Sequence, residues 1–151
     1  MKNKVKVSTI MTTDLIQLNI SDSLYKAEKL FKKYKIRHLP VVQGKRIVGI
    51  LSYTDLLRIS YVDVIDEDDE TVESIVYDMF SLPQVMMNKP VVVSPDTPIK
   101  EVAEILSQRE FHALPVVEND ELVGIVTTTD LIRYFYSEFY AEKPLSKLEQ
   151  I

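Results

Sequence analysis

Two short stretches of the chain combine hydroxyl and carboxylate side chains directly after an apolar segment. One holds Ser52, Thr54 and Asp55, and the other holds Thr127, Thr129 and Asp130. If a helix begins at each stretch, its first N–H groups have no partner within the helix, so a polar or anionic ligand can bind there. An aspartate in that turn has two acceptor oxygens, which suits the paired hydroxyls of a ribose. Alternatively, these side chains only cap the helices, and each contributes about 1 kcal/mol.

Both stretches end a longer segment that the chain contains twice. Leu39-Pro40-Val41-Val42 and Val48-Gly49-Ile50 precede the first stretch, and Leu114-Pro115-Val116-Val117 and Val123-Gly124-Ile125 precede the second. Every matched residue lies 75 positions after its partner, as Pro115 does after Pro40. Met11 and Met86, and Arg58 and Arg133, extend the match in the same register. This period exceeds that of the common solenoid repeats, so the pattern indicates a duplicated half-domain. We call its halves copy one and copy two.

Hydrophobic spacing assigns the same elements to each copy. In copy one it predicts a short strand over Leu15–Leu18, a helix capped by Ser21–Ser23, a hairpin of strands Leu39–Val42 and Ile47–Leu51, and a second helix from Thr54 to Ile59. The first helix should bury one face, formed by Leu24, Ala27, Leu30, Phe31 and Tyr34. Gln43-Gly44 provides the turn of the hairpin.

Copy two repeats this order of elements. We predict a strand over Val91–Val93, a helix opened by Asp96-Thr97-Pro98 with the proline in its first turn, and a hairpin of Leu114–Val117 and Leu122–Val126. The buried stripe of that helix should be Ile99, Val102, Ala103 and Leu106. Asn119-Asp120 forms the hairpin turn.

The predicted fold class is therefore α+β, with two β-α-β-β-α repeats. One repeat has too little apolar surface to stand alone, so the two should pack together about a pseudo-twofold axis. We divide the chain into repeat one (7–58), an acidic linker with a short helix (59–81), repeat two (82–133) and an aromatic C-terminal helix or tail (134–151).

The linker and the tail leave alternatives open. The linker holds Asp63, Asp66, Glu67, Asp68, Asp69, Glu70 and Glu73, then Val72, Ile75, Val76 and Met79 at helical spacing. Its acidic run reads as a solvated connection or as a divalent-cation site, although it lacks the glycine that a calcium loop needs at its sixth position. The aromatic residues of the tail, from Tyr134 to Tyr140, pack on the body of the fold or form a subunit interface.

Composition excludes several classes of function. The chain has 151 residues, a net charge of −5 and no cysteine, which argues against nucleic acid as a partner and against disulfides or thiolate chemistry. No apolar run is long enough to span a membrane, so we expect a cytoplasmic protein. Only three glycines are present, too few for a P-loop or a dinucleotide-binding turn, and His38 and His112 lack metal-ligand spacing. We expect no catalytic activity and no resident metal.

The doubled motif resembles the CBS domain. The resemblance rests on Leu-Pro-Val-Val, Gly-Ile, and a Ser or Thr followed after two residues by Asp-Leu, and it runs from about Val7 to Arg58 and from about Leu82 to Arg133. Two tandem copies are similar to a Bateman module (CBS pair). The resemblance implies a cleft between the repeats with two pseudo-symmetric sites for AMP, ADP, ATP, S-adenosylmethionine or a similar adenosyl ligand, with Mg²⁺ as a possible companion and no cofactor required. It also implies a homodimer that regulates a separate protein.

The resemblance assigns a role to individual residues. Asp55 and Asp130 would hold ribose hydroxyls, while Ser52, Thr54, Thr127 and Thr129 would bond ribose or phosphate. Residues before the proline would line the site, namely Ile36, Arg37, His38 and Pro40 in copy one and Phe111, His112, Ala113 and Pro115 in copy two. Arg37 and His112 would contact phosphate, and backbone groups near Ile16 and Val91 would face the adenine.

The resulting hypothesis is a stand-alone, non-catalytic sensor of an adenosyl ligand. Since we see no output domain in this chain, the signal should pass to a partner or to self-assembly. Two alternatives remain: a ligand-free structural interaction module, and a Mg²⁺ sensor that uses the acidic linker.

Overall fold

The computed structural model describes residues 5–60 and 76–140. Copy one begins with a 3-10 helix at Val7–Thr9. Its main elements are β1 (Leu18–Asn19), α1 (Leu24–Tyr34), β2 (His38–Gln43), β3 (Arg46–Ser52) and α2 (Tyr53–Ser60). Copy two follows a helical turn at 76–79. It contains α3 (Leu82–Val85), β4 (Met87–Asn88), α4 (Ile99–Gln108), β5 (Ala113–Glu118), β6 (Glu121–Thr127) and α5 (Thr128–Tyr140).

Both predicted hairpins are confirmed, and every strand in them extends one residue further at each end than predicted. Gly44 adopts φ 65° in the first turn, a conformation that favours glycine. Asn119 and Asp120 have φ 51° and 63° in the second, as a type I′ turn requires. Both hairpins also shift register at matched positions, between Val41 and Val42 and between Val116 and Val117.

The helices begin close to the predicted positions. Ser23 caps α1 by accepting a hydrogen bond from the Lys26 N–H at 3.2 Å. Pro98 is the N-cap of α4, not a residue of its first turn, because its ψ of 143° is extended. Tyr34, predicted to face the core, is 43% exposed because α1 ends there, with Lys35 in the left-handed conformation.

The first strand of each copy is shorter than its apolar run predicted. β1 covers only Leu18–Asn19, whose Leu18 pairs in parallel with Val41. In copy two only Val93 pairs, through a single parallel bridge to Val116. The preceding residues, 15–17 and 91–92, adopt no regular structure. Each copy therefore has a short irregular segment in place of most of the predicted strand.

The first residues of each copy pair with a strand of the other copy. β4 belongs to copy two in sequence, yet it pairs with β3 and completes a four-stranded sheet of order β1-β2-β3-β4. In the matched position, Thr12 of copy one exchanges two backbone hydrogen bonds with Ile125 of β6, at 2.9 and 3.0 Å. The stretches 13–17 and 88–92 therefore cross from one sheet to the other, and we call them crossing segments.

The described residues form two hydrophobic cores, and each core contains residues from both copies. The first is centred on Leu39 and Leu51 and includes Leu82 and Met86 from copy two. The second is centred on Leu114 and Val126 and includes Val7 from copy one. Because neither copy completes its own core, the burial of apolar surface stabilises the association of the two copies. The predicted α+β fold of two repeats is confirmed.

Gly49 and Gly124 lie where the hairpin of one copy contacts the first residues of the other copy. A Cβ on Gly49 would overlap the Met86 Sδ atom and would lie 2.9 Å from the Met87 carbonyl oxygen. A Cβ on Gly124 would lie 2.7 Å from the Met11 Sδ atom and 3.2 Å from the Thr12 carbonyl oxygen. The repeated Met and Gly of the sequence are therefore contacts between the two copies.

The linker and the tail are described in part. The acidic residues from Asp63 to Glu73 lie outside the described residues, as do Val72 and Ile75. In the helical turn at 76–79, Tyr77 is buried in the first core, whereas Met79, one of the apolar residues at helical spacing, is 67% exposed. In α5, Tyr134 and Phe135 pack on the second core, while Phe139 is 78% exposed.

Candidate ligand-binding cleft between the two copies

A cleft of about 800 Å³ lies between the two copies and takes residues from both. Fourteen of the sixteen residues predicted for the site line it: Ile16, Ile36, Arg37, His38, Pro40, Ser52, Thr54, Asp55, Phe111, His112, Ala113, Thr127, Thr129 and Asp130. The pairing of the hairpins explains this convergence. His38 pairs with Ser52 and Ala113 with Thr127, so the residues before each proline lie beside the start of the following helix.

Two predicted residues lie outside the lining. Val91 is in the crossing segment of copy two, where it is 38% exposed. Pro115 is buried in β5, and its carbonyl oxygen accepts a hydrogen bond from the Val93 N–H at 3.0 Å. Their counterparts Ile16 and Pro40 do line the cleft. The two copies therefore do not contribute the same matched residues to the lining of the cleft.

Ten further lining residues were not predicted: Thr12, Asp14, Leu15, Lys35, Ile50, Arg58, Met87, Glu110, Ile125 and Thr128. Several follow from the crossing of the chain between sheets, which the sequence pattern does not reveal. Others had a signal in the sequence. Ile50 and Ile125 follow the repeated glycines, and Lys35 and Glu110 precede residues that were predicted.

The hydroxyl and carboxylate residues form a reciprocal cap at each helix start. In copy one the Asp55 Oδ2 atom accepts from the Ser52 N–H at 3.1 Å, and the Ser52 Oγ atom accepts from the Asp55 N–H at 3.0 Å. In copy two the Asp130 Oδ2 atom accepts from the Thr127 N–H at 2.9 Å, and the Thr127 Oγ1 atom accepts from the Asp130 N–H at 3.2 Å. The capping role considered for these residues is therefore present.

Capping leaves part of each carboxylate for a ligand. In both aspartates only Oδ2 makes these cap bonds. The Asp55 Oδ1 atom is 4.0 Å from Arg58 Nη1, and the Asp130 Oδ1 atom has no hydrogen-bond partner among the described residues. Because the cap holds each side chain in place, this second oxygen has a fixed orientation.

Backbone hydrogen bonds attach the residues before each proline to the helix starts. The Tyr53 N–H donates to the Arg37 carbonyl at 2.8 Å, and the Thr128 N–H donates to the His112 carbonyl at 2.9 Å. Arg37 and His112, which are matched in the repeat, are thereby held at matched places in the cleft. The same backbone bond thus positions a permanent cation in copy one and a titratable side chain in copy two.

Burial and charge act together on His38. Burial lowers the pKa of this histidine below its usual 6.5, the charges of His112 and Arg37 lower it further, and the Asp55 carboxylate opposes them. His38 is therefore neutral near pH 7. His38 and His112 come from different copies, and both line the cleft.

Neither a membrane span nor a metal cluster is found in the parts of the chain that are described. Within 5–60 and 76–140, no helix has the length and hydropathy needed to cross a bilayer. Over the same residues, no three His, Cys, Asp or Glu side chains are grouped to hold a metal ion.

Solved structures with this fold include several that bind adenosyl compounds. A Vibrio cholerae protein assigned to acetoin utilization (AcuB) superimposes with a TM-score of 0.75 at 29% identity, over 93% of this chain and 98% of that one. CBSX2 in complex with AMP gives 0.73 at 25% identity, over 89% and 98%. The CBS domain pair of protein MJ0100, bound to 5′-methylthioadenosine and S-adenosyl-L-methionine, gives 0.70 at 25% identity, over 87% and 99%.

Curated relatives carry the same module inside longer proteins. The A-adding tRNA nucleotidyltransferase of Geobacter sulfurreducens is 27% identical over 85% of this chain, which spans 13% of its length. An uncharacterized 33.4 kDa protein of Thermofilum pendens is 33% identical over 85% of the chain, which spans 43% of its length. This chain thus covers less than half of each of these relatives.

The family follows from the repeats themselves. A sequence model of the CBS domain matches the chain twice, at residues 7–62 and 82–137. These two matches contain both hairpins, both helix caps and every cleft-lining residue named above. The chain belongs to the CBS-domain family, as a tandem pair of CBS domains.

Proposed function

We propose that this chain is a non-catalytic regulatory module that binds an adenosine-containing ligand in the cleft between its two copies. The ligand class is AMP, ADP, ATP, S-adenosylmethionine or a close relative. The observation that carries the proposal is the pair of capped aspartates. Asp55 and Asp130 both line the cleft, and each keeps its Oδ1 atom outside its own helix cap.

The ribose is the part of the ligand that these carboxylates fit best. One carboxylate oxygen accepts hydrogen bonds from two adjacent hydroxyls, and a hydrogen bond to a charged group contributes about 1.5–3 kcal/mol. Thr54 and Thr129 line the cleft one residue before each aspartate, and their hydroxyls have no hydrogen-bond partner among the described residues. They supply further donors and acceptors for ribose or phosphate.

The adenine has an apolar place next to unpaired backbone groups. Ile16, Ile36 and Phe111 line the cleft and offer apolar surface for a base. Ile16 lies in the crossing segment outside β1, and its backbone N–H and carbonyl have no partner among the described residues. Such groups can bind the polar edge of adenine, which selects one base over another.

Related structures support this ligand class. CBSX2 and the MJ0100 domain pair, each 25% identical to this chain, are seen with AMP in one case and with 5′-methylthioadenosine and S-adenosyl-L-methionine in the other. The shared adenosyl part would bind in this cleft through Asp55 and Asp130 at the ribose and through Ile16, Ile36 and Phe111 at the base.

Transmission requires that the ligand favour one arrangement of the two copies over another. The exposed face of α5 is suited to transmit this change to a second molecule of the same protein in a homodimer. Ile132 is 62% exposed, and Tyr136 and Phe139 follow it on the same helix face at spacings of four and three. Leu57 of α2 is exposed at the position matched to Ile132. Sedimentation velocity should show a homodimer, and a monomer at all concentrations would remove this part of the proposal.

Thermal unfolding with a ligand panel tests the proposal. AMP, ADP, ATP, S-adenosylmethionine and 5′-methylthioadenosine would be added with and without Mg²⁺. A ligand at about 100 times its dissociation constant stabilises by about 2.7 kcal/mol, which gives a clear rise in Tm. A rise with at least one adenosyl ligand and none with guanosine monophosphate supports the proposal. No rise with any of them overturns it.

The exposed aromatic face of α5 favours one rival, a ligand-free interaction module. In that case no ligand of the panel raises Tm, yet the chain still self-associates or binds a protein. The third reading, a Mg²⁺ sensor, depends on acidic residues that lie outside the described residues. A rise in Tm with Mg²⁺ alone would support it.

A further inference from the structure

The two histidines of the chain, His38 and His112, both line the cleft, although they come from different copies. The charge of His112 lowers the pKa of His38. They are not matched in the repeat, because His38 corresponds to Ala113 and His112 corresponds to Arg37. Copy one and copy two therefore contribute different side chains to a shared pair, which we call the histidine pair.

The remaining charges of the lining leave the sign of the cleft undecided. Among the described residues, three basic side chains line it: Lys35, Arg37 and Arg58. Four acidic side chains of the same part of the chain line it: Asp14, Asp55, Glu110 and Asp130. With both histidines neutral this described lining is slightly negative, and with both protonated it is slightly positive. Protonation of the histidine pair therefore shifts the preference of the lining from a cation toward an anion.

The local contacts of His112 orient its ring. The Thr128 hydroxyl donates to the His112 carbonyl at 3.3 Å, and its oxygen lies 3.5 Å from the His112 Nδ1 atom. With its own hydrogen engaged, this hydroxyl can accept from His112 when Nδ1 carries the proton. The Nε2 atom is then the ring nitrogen left for a ligand. It is an acceptor in the neutral ring and becomes a donor when the ring is protonated.

A phosphate group changes this balance. A dianion near His38 and His112 favours their charged forms and offers oxygens that accept from an Nε2–H group. An uncharged adenosyl ligand gives neither effect. A sulfonium, which is cationic, repels a protonated histidine pair and fits the cleft better when both rings are neutral.

We propose that the histidine pair makes the cleft select a phosphate-bearing adenosyl ligand, and that binding of this ligand takes up protons on His38 and His112. This rests on the proposed function, since it specifies the ligand class of the same cleft. Arg37 supplies the charge that does not depend on pH. The affinity for an adenine nucleotide therefore rises as the pH falls through neutrality, and the affinity for adenosine does not.

Calorimetric titration at pH 6.5 and pH 8.0, in buffers without phosphate, tests the proposal. The probes are AMP, adenosine and S-adenosylmethionine. AMP should bind about tenfold more tightly at pH 6.5, since each proton taken up changes affinity by at most about tenfold per pH unit. Adenosine should change by less than about twofold, and S-adenosylmethionine should not tighten. Over this range a phosphate monoester with a second pKa near 6 stays mostly dianionic.

Repeating the AMP titration in two buffers with different ionisation enthalpies counts the protons taken up. Wild type should take up protons, and the double variant His38→Gln with His112→Gln should take up none and lose the pH dependence. Glutamine keeps a polar side chain without a charge. Arg46→Gln is the control, because Arg46 is exposed at the end of the first hairpin, outside the cleft, and its loss changes net charge without touching the lining.

The outcomes separate this inference from the function on which it rests. If AMP affinity is the same at both pH values, or keeps its slope in the double variant, the inference is overturned while adenosine binding upholds the proposed function. If S-adenosylmethionine binds more tightly than AMP at pH 6.5, the inference is overturned in the same way. If no adenosyl compound binds at either pH, both are overturned.

Discussion

Copy one and copy two agree where they fold and differ where they face the cleft. Leu18 pairs with Val41 in copy one as Val93 pairs with Val116 in copy two, and the hairpins share the same register shift. Leu39 and Leu114 are both fully buried at matched positions. These positions are set by packing, which tolerates only apolar residues of similar volume.

The lining of the cleft shows the opposite pattern. Lys35 is matched by Glu110 and Arg37 by His112, and all four line the cleft. Thr128 also lines it and contacts His112, whereas its counterpart Tyr53 lies outside the lining and packs on Phe31 of the first core, with ring centroids 5.4 Å apart. The four charged or titratable lining residues have no core contact to keep them alike, and they differ in charge. We infer that the duplication supplies the scaffold and that the divergence sets the ligand.

Truncation of the two matched leucines should have the largest effect on stability. Leu39→Ala and Leu114→Ala each remove a fully buried side chain, so each should lower the free energy of unfolding by about 2–5 kcal/mol. Urea unfolding would measure both. The costs should be similar, because the two cores are built alike. A cost below about 1 kcal/mol for either leucine would show that its core is not closed as described.

Substitution of the two matched glycines should have a smaller and unequal effect. Gly49→Ala places a Cβ against the Met86 side chain and against a backbone oxygen at 2.9 Å, while Gly124→Ala meets the corresponding oxygen at 3.2 Å. Overpacking of this kind costs about 1–3 kcal/mol. We expect Gly49→Ala near the upper end and Gly124→Ala near the lower end, again by urea unfolding. An added Cβ at Gly44 meets no atom within 4 Å, so the cost of Gly44→Ala comes from its positive φ and not from overlap. This variant is the control for a glycine-to-alanine change without a steric clash.

The reverse order for these two glycines would contradict the packing of the crossing chains. In particular, a Gly124→Ala variant less stable than Gly49→Ala would mean that the Met11 contact is the tighter one. If Gly49→Ala and Gly124→Ala were both as stable as wild type, the close approach at these glycines would be contradicted.

The smallest effect should come from the histidine that has no counterpart in copy two. Because the folded chain lowers the pKa of His38 below 6.5, the unfolded chain binds a proton more readily. The stability linked to His38 is therefore complete above pH 6.5 and is lost as the pH falls below it. Without ligand, wild type should lose more stability than His38→Gln between pH 7.5 and pH 5.5. An identical pH dependence would contradict the burial of His38.

Local patterns in the sequence predicted the hairpins and helices of both copies. Turn residues such as Gly44 and Asn119 fix a hairpin within a few residues, and Ser23 marks a helix start without reference to the rest of the chain. The site residues before each proline were predicted from the resemblance to the CBS domain. The structure places them beside the helix starts because a hairpin brings its two ends together.

The errors concern contacts between distant parts of the chain. The apolar run around Ile16 indicates burial, but it does not say that the strand pairs for only two residues at Leu18–Asn19. Met11 and Met86 were recognised as repeated residues, yet their packing on Gly124 and Gly49 of the opposite copy needed the structure. For the same reason the sequence did not show that Thr12, Asp14 and Leu15 line the cleft while Val91 does not.

Binding of AMP to wild type and to two aspartate variants tests the central claim most directly. Asp55→Asn and Asp130→Asn keep an acceptor for the helix cap but remove the charge that would hold the ribose. Asp120→Asn, in the second hairpin turn, is the control, since asparagine accepts its positive φ and the residue lies outside the cleft. Calorimetry at pH 6.5 should show AMP affinity lowered at least about tenfold by Asp55→Asn or Asp130→Asn and unchanged by Asp120→Asn. Equal affinity in all four proteins would contradict a ligand held in this cleft.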